Sequence, residues 1–283
     1  VTLRADFYDQ LLLDPGLGPV VAERTIPVTP LTAEGVERAV TGPAEAVGLQ
    51  VEPELVAAIV ADVGDAPGSL PLLQYALTEL CEQRHGDTLR LTDYRRLGGL
   101  RGALAGRADE RYERLERDAR EACRQVFLRL VAVTEEVVET RRRVLRPQLL
   151  DLGPDDTIEH VLETFGTHRF LTFDRDPFTR VPTVEIAHEA LTRAWGRLRG
   201  WIDAARGDLV MHRRLLSASD EWRLGDRDDS YLLRGARLEE ALDWAETSSI
   251  RLTDPERSYL DASVDARDRR RASEERRARR RSR

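Results

Sequence analysis

Three short stretches place chemically capable residues where a ligand could reach them. Thr2-Leu3-Arg4-Ala5-Asp6-Phe7 reads as a strand that ends on Arg4 and then Asp6. At the carboxyl end of a strand in an α/β unit, a guanidinium can face a nucleotide phosphate, and its donor fork fits one. The plain alternative is an ordinary surface arginine. Gly64-Asp65-Ala66-Pro67-Gly68-Ser69-Leu70-Pro71-Leu72-Leu73 opens a helix with Pro71 set for the first turn. Beyond that structural duty, Pro71 and its neighbours can pack on a flat ligand. Val184-Glu185-Ile186-Ala187-His188-Glu189-Ala190-Leu191 runs from a strand straight into a helix. It puts His188 at or near a helix N-terminus, where free N–H groups and the macrodipole favour anions. A purely structural histidine is the alternative. Alone, none of the three stretches is specific.

Other chemistries lack their residues. There is no Ser-His-Asp signature, no His-Glu-x-x-His and no glycine-rich phosphate loop. All 44 basic residues are arginine, and the sequence contains neither lysine nor asparagine. That excludes a Walker A lysine, a Schiff-base lysine and a kinase-type lysine within this sequence. Phosphate contacts fall to arginine, histidine, backbone N–H groups and helix ends. Cys81 and Cys123 sit in helical apolar patterns, with no disulfide framework and no zinc spacing. They fit a reducing, cytoplasmic setting. No apolar run approaches the roughly 18 residues of a membrane helix, and no signal peptide opens the sequence.

The elements that must position these residues are mostly helices. A length of 283 residues, 41% hydrophobic and 34% charged, supports about two packed domains. Val1-Thr2-Leu3 is β-rich with no partner strand before it, so residues 1–22 read as the remnant of an α/β domain cut internally. Residues 23–116 read as helical, with extended pieces near Thr25–Val28 and Leu89–Leu91. Thr32 caps one helix and Glu52-Pro53-Glu54 opens the next, which stops at Gly64; Ser69 caps a third, and a fourth runs from about Leu100 to Leu115.

Over 117–206 the order changes. A helical stripe carries Cys123, Val126, Phe127, Leu130 and Val131. A short β-like piece follows at Arg142–Leu145, then a short helix from Pro147, a helix capped by Asp156, and a hairpin of Phe170–Asp174 with Val181–Ala187. Helix, strand, helix, helix, hairpin is the order of a winged helix. A long helix bearing Leu191, Trp195, Leu198, Trp201 and Ile202 comes next. Residues 207–265 are helical again, and Thr253-Asp254-Pro255-Glu256 is a strong helix start. Residues 266–283 form an arginine-rich linker or tail. Ten arginines and three acids in 267–283 leave an acidic body with a basic end.

In this order the three stretches resemble the back half of a STAND-class NTPase, the signal-transduction ATPases related to plant resistance proteins and apoptosome scaffolds. Arg4 resembles the sensor arginine. Gly68-Ser69-Leu70-Pro71-Leu72 resembles the Gly-Leu-Pro-Leu motif, whose proline packs near adenine. Ala187-His188-Glu189 resembles the Met-His-Asp motif, whose histidine touches the β-phosphate of ADP. Ser69, Ala187 and Glu189 depart from the usual residues. The stretch from Leu3 to about Arg267 is similar to the novel STAND branch often fused to WD-repeat propellers. Ser230-Tyr231-Leu232-Leu233-Arg234-Gly235-Ala236-Arg237-Leu238 adds to the likeness.

The resemblance implies a mainly α fold: a helical lid at 23–116, a winged-helix domain with a small β-hairpin at 117–206, and a helical transmitter at 207–265. It implies ATP or ADP with magnesium as ligand of a longer protein, bound through Arg4, Pro71 and His188. The Walker segments would precede Val1, so this chain alone should be inactive as an ATPase. The implied partners are the protein's own N-terminal nucleotide-binding domain and a C-terminal sensor domain, with oligomerisation on activation. A cytoplasmic membrane flank beyond Arg283 is one use for the basic end; a solubilising linker is the other. Two further readings compete: a winged-helix DNA-binding regulator, and a helical scaffold without its own ligand. The candidate recognition helix, Asp156–Gly166, carries Asp156, Glu159 and Glu163 against His160 alone, which disfavours nucleic acid.

Overall fold

The computed structural model describes residues 8–64, 69–133 and 139–281. Arg4 and its strand-like stretch lie outside the described residues. What is described is mainly helical, with three small sheets.

Helices α1 (Tyr8–Leu12) and α2 (Gly18–Arg24) are joined by a turn in which the Asp14 carboxylate accepts the N–H groups of Gly16 and Leu17. Residues 25–32 then run without regular structure, and Ile26 and Val28 are 87% and 94% exposed. Helix α3 (Ala33–Ala46) starts where expected, with Thr32 Oγ1 accepting the Gly35 N–H at 3.2 Å. Strand β1 (Gln50–Val51) leads into α4 (Pro53–Val63), which ends at Gly64 with φ +44°. Such a conformation suits a residue without Cβ.

Helix α5 (Ser69–Gln83) is followed by β2 (Thr88–Leu89), paired in parallel with β1. Helix α6 (Leu91–Arg96) is too short for periodicity to reveal. Its start is held by Glu52, whose carboxylate accepts the Leu91 N–H at 2.8 Å. Helix α7 (Gly99–Glu113) packs along α5, and Leu55, Ile59, Leu73, Ala76, Leu80, Leu100 and Leu104 fill the space between α4, α5 and α7.

Helix α8 (Arg117–Arg129) ends sooner than its apolar stripe suggests. Val131 leaves the helix to start β3 (Val131–Val133), which pairs antiparallel with β4 (Glu139–Arg141). Next come β5 (Val144–Leu145), α9 (Arg146–Leu150) and α10 (Asp155–Thr167). Asp156 lies within the first turn of α10 rather than at its cap, because Pro154 precedes the helix. Strands β6 (Leu171–Arg175) and β7 (Pro182–Ile186) form the hairpin, with β7 central in the order β5-β7-β6. The turn is held by Asp176, whose carboxylate accepts from the Phe178 and Thr179 N–H groups.

The long helix expected after the hairpin is two helices, α11 (Ala190–Ala194) and α12 (Gly196–Ala204). Trp195 breaks them apart with an extended ψ of 99°. Its ring is fully buried, 5.0 Å from Phe127 and 5.4 Å from Trp201. Its indole N–H donates to Asp109 of α7 at 2.9 Å. Tertiary packing overrides the local helical pattern here.

Helices α13 (Arg206–Leu224), α14 (Ala236–Thr247) and α15 (Asp254–Arg281) complete the chain. At the start of α15, Thr253 and Glu256 form half of a capping box: the Glu256 carboxylate accepts the Thr253 N–H at 2.8 Å. Among the described residues, Ala266 is the last that is buried. Beyond it α15 continues as a solvated helix. Arg267 and Arg269 tie its first part to Glu239 and Asp229 at 3.2 and 3.0 Å.

A buried charge network joins these helices to α8. Arg129 donates to Glu256 at 2.6 and 3.2 Å and to the Arg251 carbonyl at 2.7 Å. His212 Nε2 lies 2.9 Å from Glu256 Oε1 and beside the Arg129 guanidinium. The side chains of Arg129, His212 and Glu256 are at most 5% exposed. Arg142 approaches the same network, and burial followed by the charge of Arg129 lowers its pKa.

Burial alone would raise the Glu256 carboxyl. The His212 hydrogen bond and the Arg129 charge together outweigh that and hold it well below its ordinary 4.5. Burial, with the charge of Arg129, keeps His212 below 6.5. Both folded values are depressed, so both groups stabilise the fold at neutral pH and lose that contribution on acidification. The loss begins as pH falls below about 6.5, the ordinary histidine value, and deepens below about 4.5, the ordinary glutamate value. We expect urea midpoints to fall from pH 7.5 to 5.5, and His212→Gln to flatten that slope. An unchanged slope in the variant would remove His212 from the account.

Candidate functional site

A cleft of about 600 Å³ opens between the start of α5 and the junction of β7 with α11. Pro71 lines one side and His188 the other, with Ser69, Asp62 and Arg101 from the first helical group and Arg141, Glu189 and Arg193 from the second. A smaller hollow of about 270 Å³ shares Pro71 and His188 and continues along α5 past Tyr75 to Arg107 and His168. Of the three residues singled out in the sequence, two therefore border one space, and the third, Arg4, is outside the described residues.

Local chemistry fixes both walls. The Ser69 hydroxyl donates to the Val63 carbonyl at 3.2 Å, tying the start of α5 to the end of α4. Farther along α5, Glu79 pairs with Arg107 of α7 at 3.5 Å; burial pushes the Glu79 carboxyl up, opposed by the Arg107 charge. On the other wall, the Ala187 N–H donates to the Phe170 carbonyl at 2.9 Å, and the His188 carbonyl accepts from the Leu191 N–H at 2.9 Å. Arg141 Nη1 donates to the carbonyls of Ile186 and Ala187, at 3.0 and 2.9 Å. His188 is thus carried by a strand end pinned from two directions.

The His188 ring is half-buried. Burial first, and the charge of Arg141 second, lower its pKa from the ordinary 6.5. At pH 7 it is therefore a neutral ring with one N–H to donate. The expected helix N-terminus contributes less than the sequence suggests, because α11 is only five residues long. The positive potential comes instead from Arg101, Arg141 and Arg193, opposed by Asp62 and Glu189. Glu189 pairs with Arg193 at 3.5 Å, and Asp62 accepts the Tyr94 hydroxyl at 2.6 Å. Pro71 and Leu72 offer apolar surface beside these charges. An anion joined to a flat apolar group fits such a lining.

The sequence singles out neither Arg101 nor Arg193, and it reads Arg141–Arg143 as a solvated wing or as partners of Glu135, Glu136 and Glu139 rather than as ligand contacts. The structure separates the members of this run: β4 ends at Arg141, and Arg142 and Arg143 follow it outside the strand. Arg141 faces the cleft while Arg142 faces the buried network. Only Arg143, paired with Asp174 and Glu185 at 3.6 and 3.4 Å, behaves as expected of the run.

The family model described as novel STAND NTPase 1 matches residues 1–230, most of the chain and both walls of the cleft. The chain belongs to the novel STAND NTPase 1 family. No curated protein and no solved structure matches it. In this novel STAND NTPase the matched span takes in Arg129 and His212, whereas Glu256 and all of α14 and α15 fall beyond it. No helix among the described residues is long and apolar enough to cross a membrane.

Proposed function

We propose that this chain is the lid and winged-helix portion of a STAND signalling ATPase, a conformational switch set by nucleotide. Residues 1–22 are a remnant of its nucleotide domain, 23–116 the lid, 117–206 the winged helix, 207–265 a helical transmitter and 266–283 a linker or tail. The single observation behind this reading is that Pro71 and His188, far apart in sequence, line one cleft whose walls belong to the two segments. Nucleotide there would hold lid and winged helix together: Pro71 against the base, His188 donating to a phosphate. Arg4 would approach from the nucleotide domain. Exchange of ADP for ATP would change the relative stability of two arrangements, since a ligand shifts a conformational equilibrium only by its differential affinity. The phosphate loop and magnesium ligands belong elsewhere in the parent protein, because this sequence has no lysine and no glycine-rich phosphate loop. The partners are then the protein's own nucleotide domain and a sensor domain, WD-repeat or other, with self-association on activation.

The charge of α10 does not favour the DNA-binding alternative. Its first turn carries Asp155 and Asp156, and Glu159 is engaged by Arg146. A helix with this charge repels the phosphate backbone.

The test uses the longer protein purified with its bound nucleotide. His188→Ala is expected to lower retained ADP by about tenfold, the worth of one hydrogen bond to a charged group. Nucleotide content measured by chromatography decides it. Equal ADP in the variant and the wild type would remove His188 from the nucleotide site.

A further inference from the structure

Arg141 is used by the fold on one side only. Its Nη1 is committed to the carbonyls of Ile186 and Ala187. Among the described residues, Nε and Nη2 make no hydrogen bond, and no carboxylate pairs with the guanidinium. The other cations of the cleft differ. Arg193 is 74% exposed on its side chain and engaged by Glu189, and Arg101 is exposed on the first turn of α7. Of the two acids in the lining, Glu189 is taken by Arg193 and Asp62 by the Tyr94 hydroxyl. Among the described residues, that leaves Arg141 as the half-buried, pre-positioned cation next to His188 with no carboxylate paired to it.

We propose that Arg141 is a further phosphate-binding residue of the cleft: it offers its Nε–Nη2 edge to a di- or triphosphate while Nη1 fixes the strand end that carries His188. This rests on the cleft being the nucleotide site, and adds that residues of this chain alone suffice to hold the anionic end of the ligand. The guanidinium suits both tasks. Its donors form a rigid planar fork, so two can serve carbonyls while another edge serves a phosphate. A lysine ammonium cannot span both. The charge also couples the two residues. An anion arriving on Arg141 offsets the positive potential that disfavours a proton on His188, so binding raises proton affinity at the ring.

The probe is inorganic pyrophosphate added to the full 283-residue chain, with the His188 ring followed by NMR across pH. In the wild type, pyrophosphate should bind and raise the His188 midpoint. Arg141→Gln should raise that midpoint with no ligand present and weaken pyrophosphate binding about tenfold or more. Arg141→Lys keeps the charge and loses the fork. It should leave the midpoint without ligand near the wild-type value and still weaken binding, which separates the contacts of the fork from the bare charge. Equal pyrophosphate affinity in wild type and both variants overturns the role of Arg141. A wild-type ring that does not respond to pyrophosphate overturns the claim that this chain alone holds the anion. Neither result touches the ADP content of the longer protein with His188→Ala, on which the reading of the site stands separately.

Discussion

Glu256→Gln should lower the unfolding free energy of the chain by about 3–5 kcal/mol, the usual cost of leaving one member of a buried ion pair alone. The substitution keeps the size of the side chain and leaves an amide oxygen for the Thr253 N–H, so most of the cap survives. What it removes is the charge facing Arg129, whose side chain is 3% exposed. Urea unfolding followed by tryptophan fluorescence reads the effect, since Trp222 and Trp244 sit on neighbouring helices. The paired replacement Arg129→Met with Glu256→Leu should recover much of the loss, because two well-packed apolar side chains replace a pair whose desolvation is costly. A loss under about 1 kcal/mol for Glu256→Gln, no more than a helix cap contributes, would mean that the charge pair contributes nothing beyond the cap.

Trp195→Ala should cost a similar amount, about 3–5 kcal/mol for a buried aromatic truncated to Ala. Trp195→Phe separates the causes. It retains a ring against Phe127, Phe165 and Trp201 and removes only the indole N–H given to Asp109. Asp109 keeps Arg197 at 2.7 Å, so the phenylalanine variant should lose only about 1–3 kcal/mol. Thermal unfolding of the two variants side by side decides it. Equal destabilisation would place the weight on the hydrogen bond between α7 and the break in the helix rather than on ring packing.

These two sites mark where the sequence stops being legible. The mainly α character and most helix starts can be read because their causes are local. Thr32 accepts the Gly35 N–H, Pro53 opens α4 and Gly64 ends it. The turn at Asp174-Arg175-Asp176-Pro177 identifies the hairpin. Trp195 is different. The stripe from Leu191 to Ile202 has helical spacing, and nothing nearby announces a break that is set by Asp109, 86 residues earlier. Arg129 did leave a trace, as a charge beside Val126, Phe127 and Leu130, residues of the buried stripe at the end of α8. His212 left another, between the buried Leu209 and Leu215. Two charges on two apolar stripes suggest a buried pair, but only the packing of α8 on α13 and α15 identifies Glu256 as the third member. At the cleft, Pro71 and His188 could be found through their motifs. Arg141 could not, because an arginine run looks the same whether its members face water or a ligand.

The Arg129–Glu256 pair also sets a timetable for synthesis. Its partners lie 127 residues apart in the chain. At a ribosomal rate of about 5–20 residues per second, Arg129 emerges roughly 6–25 s before the residue that neutralises it. Throughout that interval the end of α8 carries a bare guanidinium that cannot be buried without a large penalty. The strands and helices of 117–206 can pair and pack in the meantime, but the face of α8 around Arg129 stays hydrated until α15 arrives. Closure of this network therefore waits for the C-terminal helix, because Glu256 is the last of its members to be made.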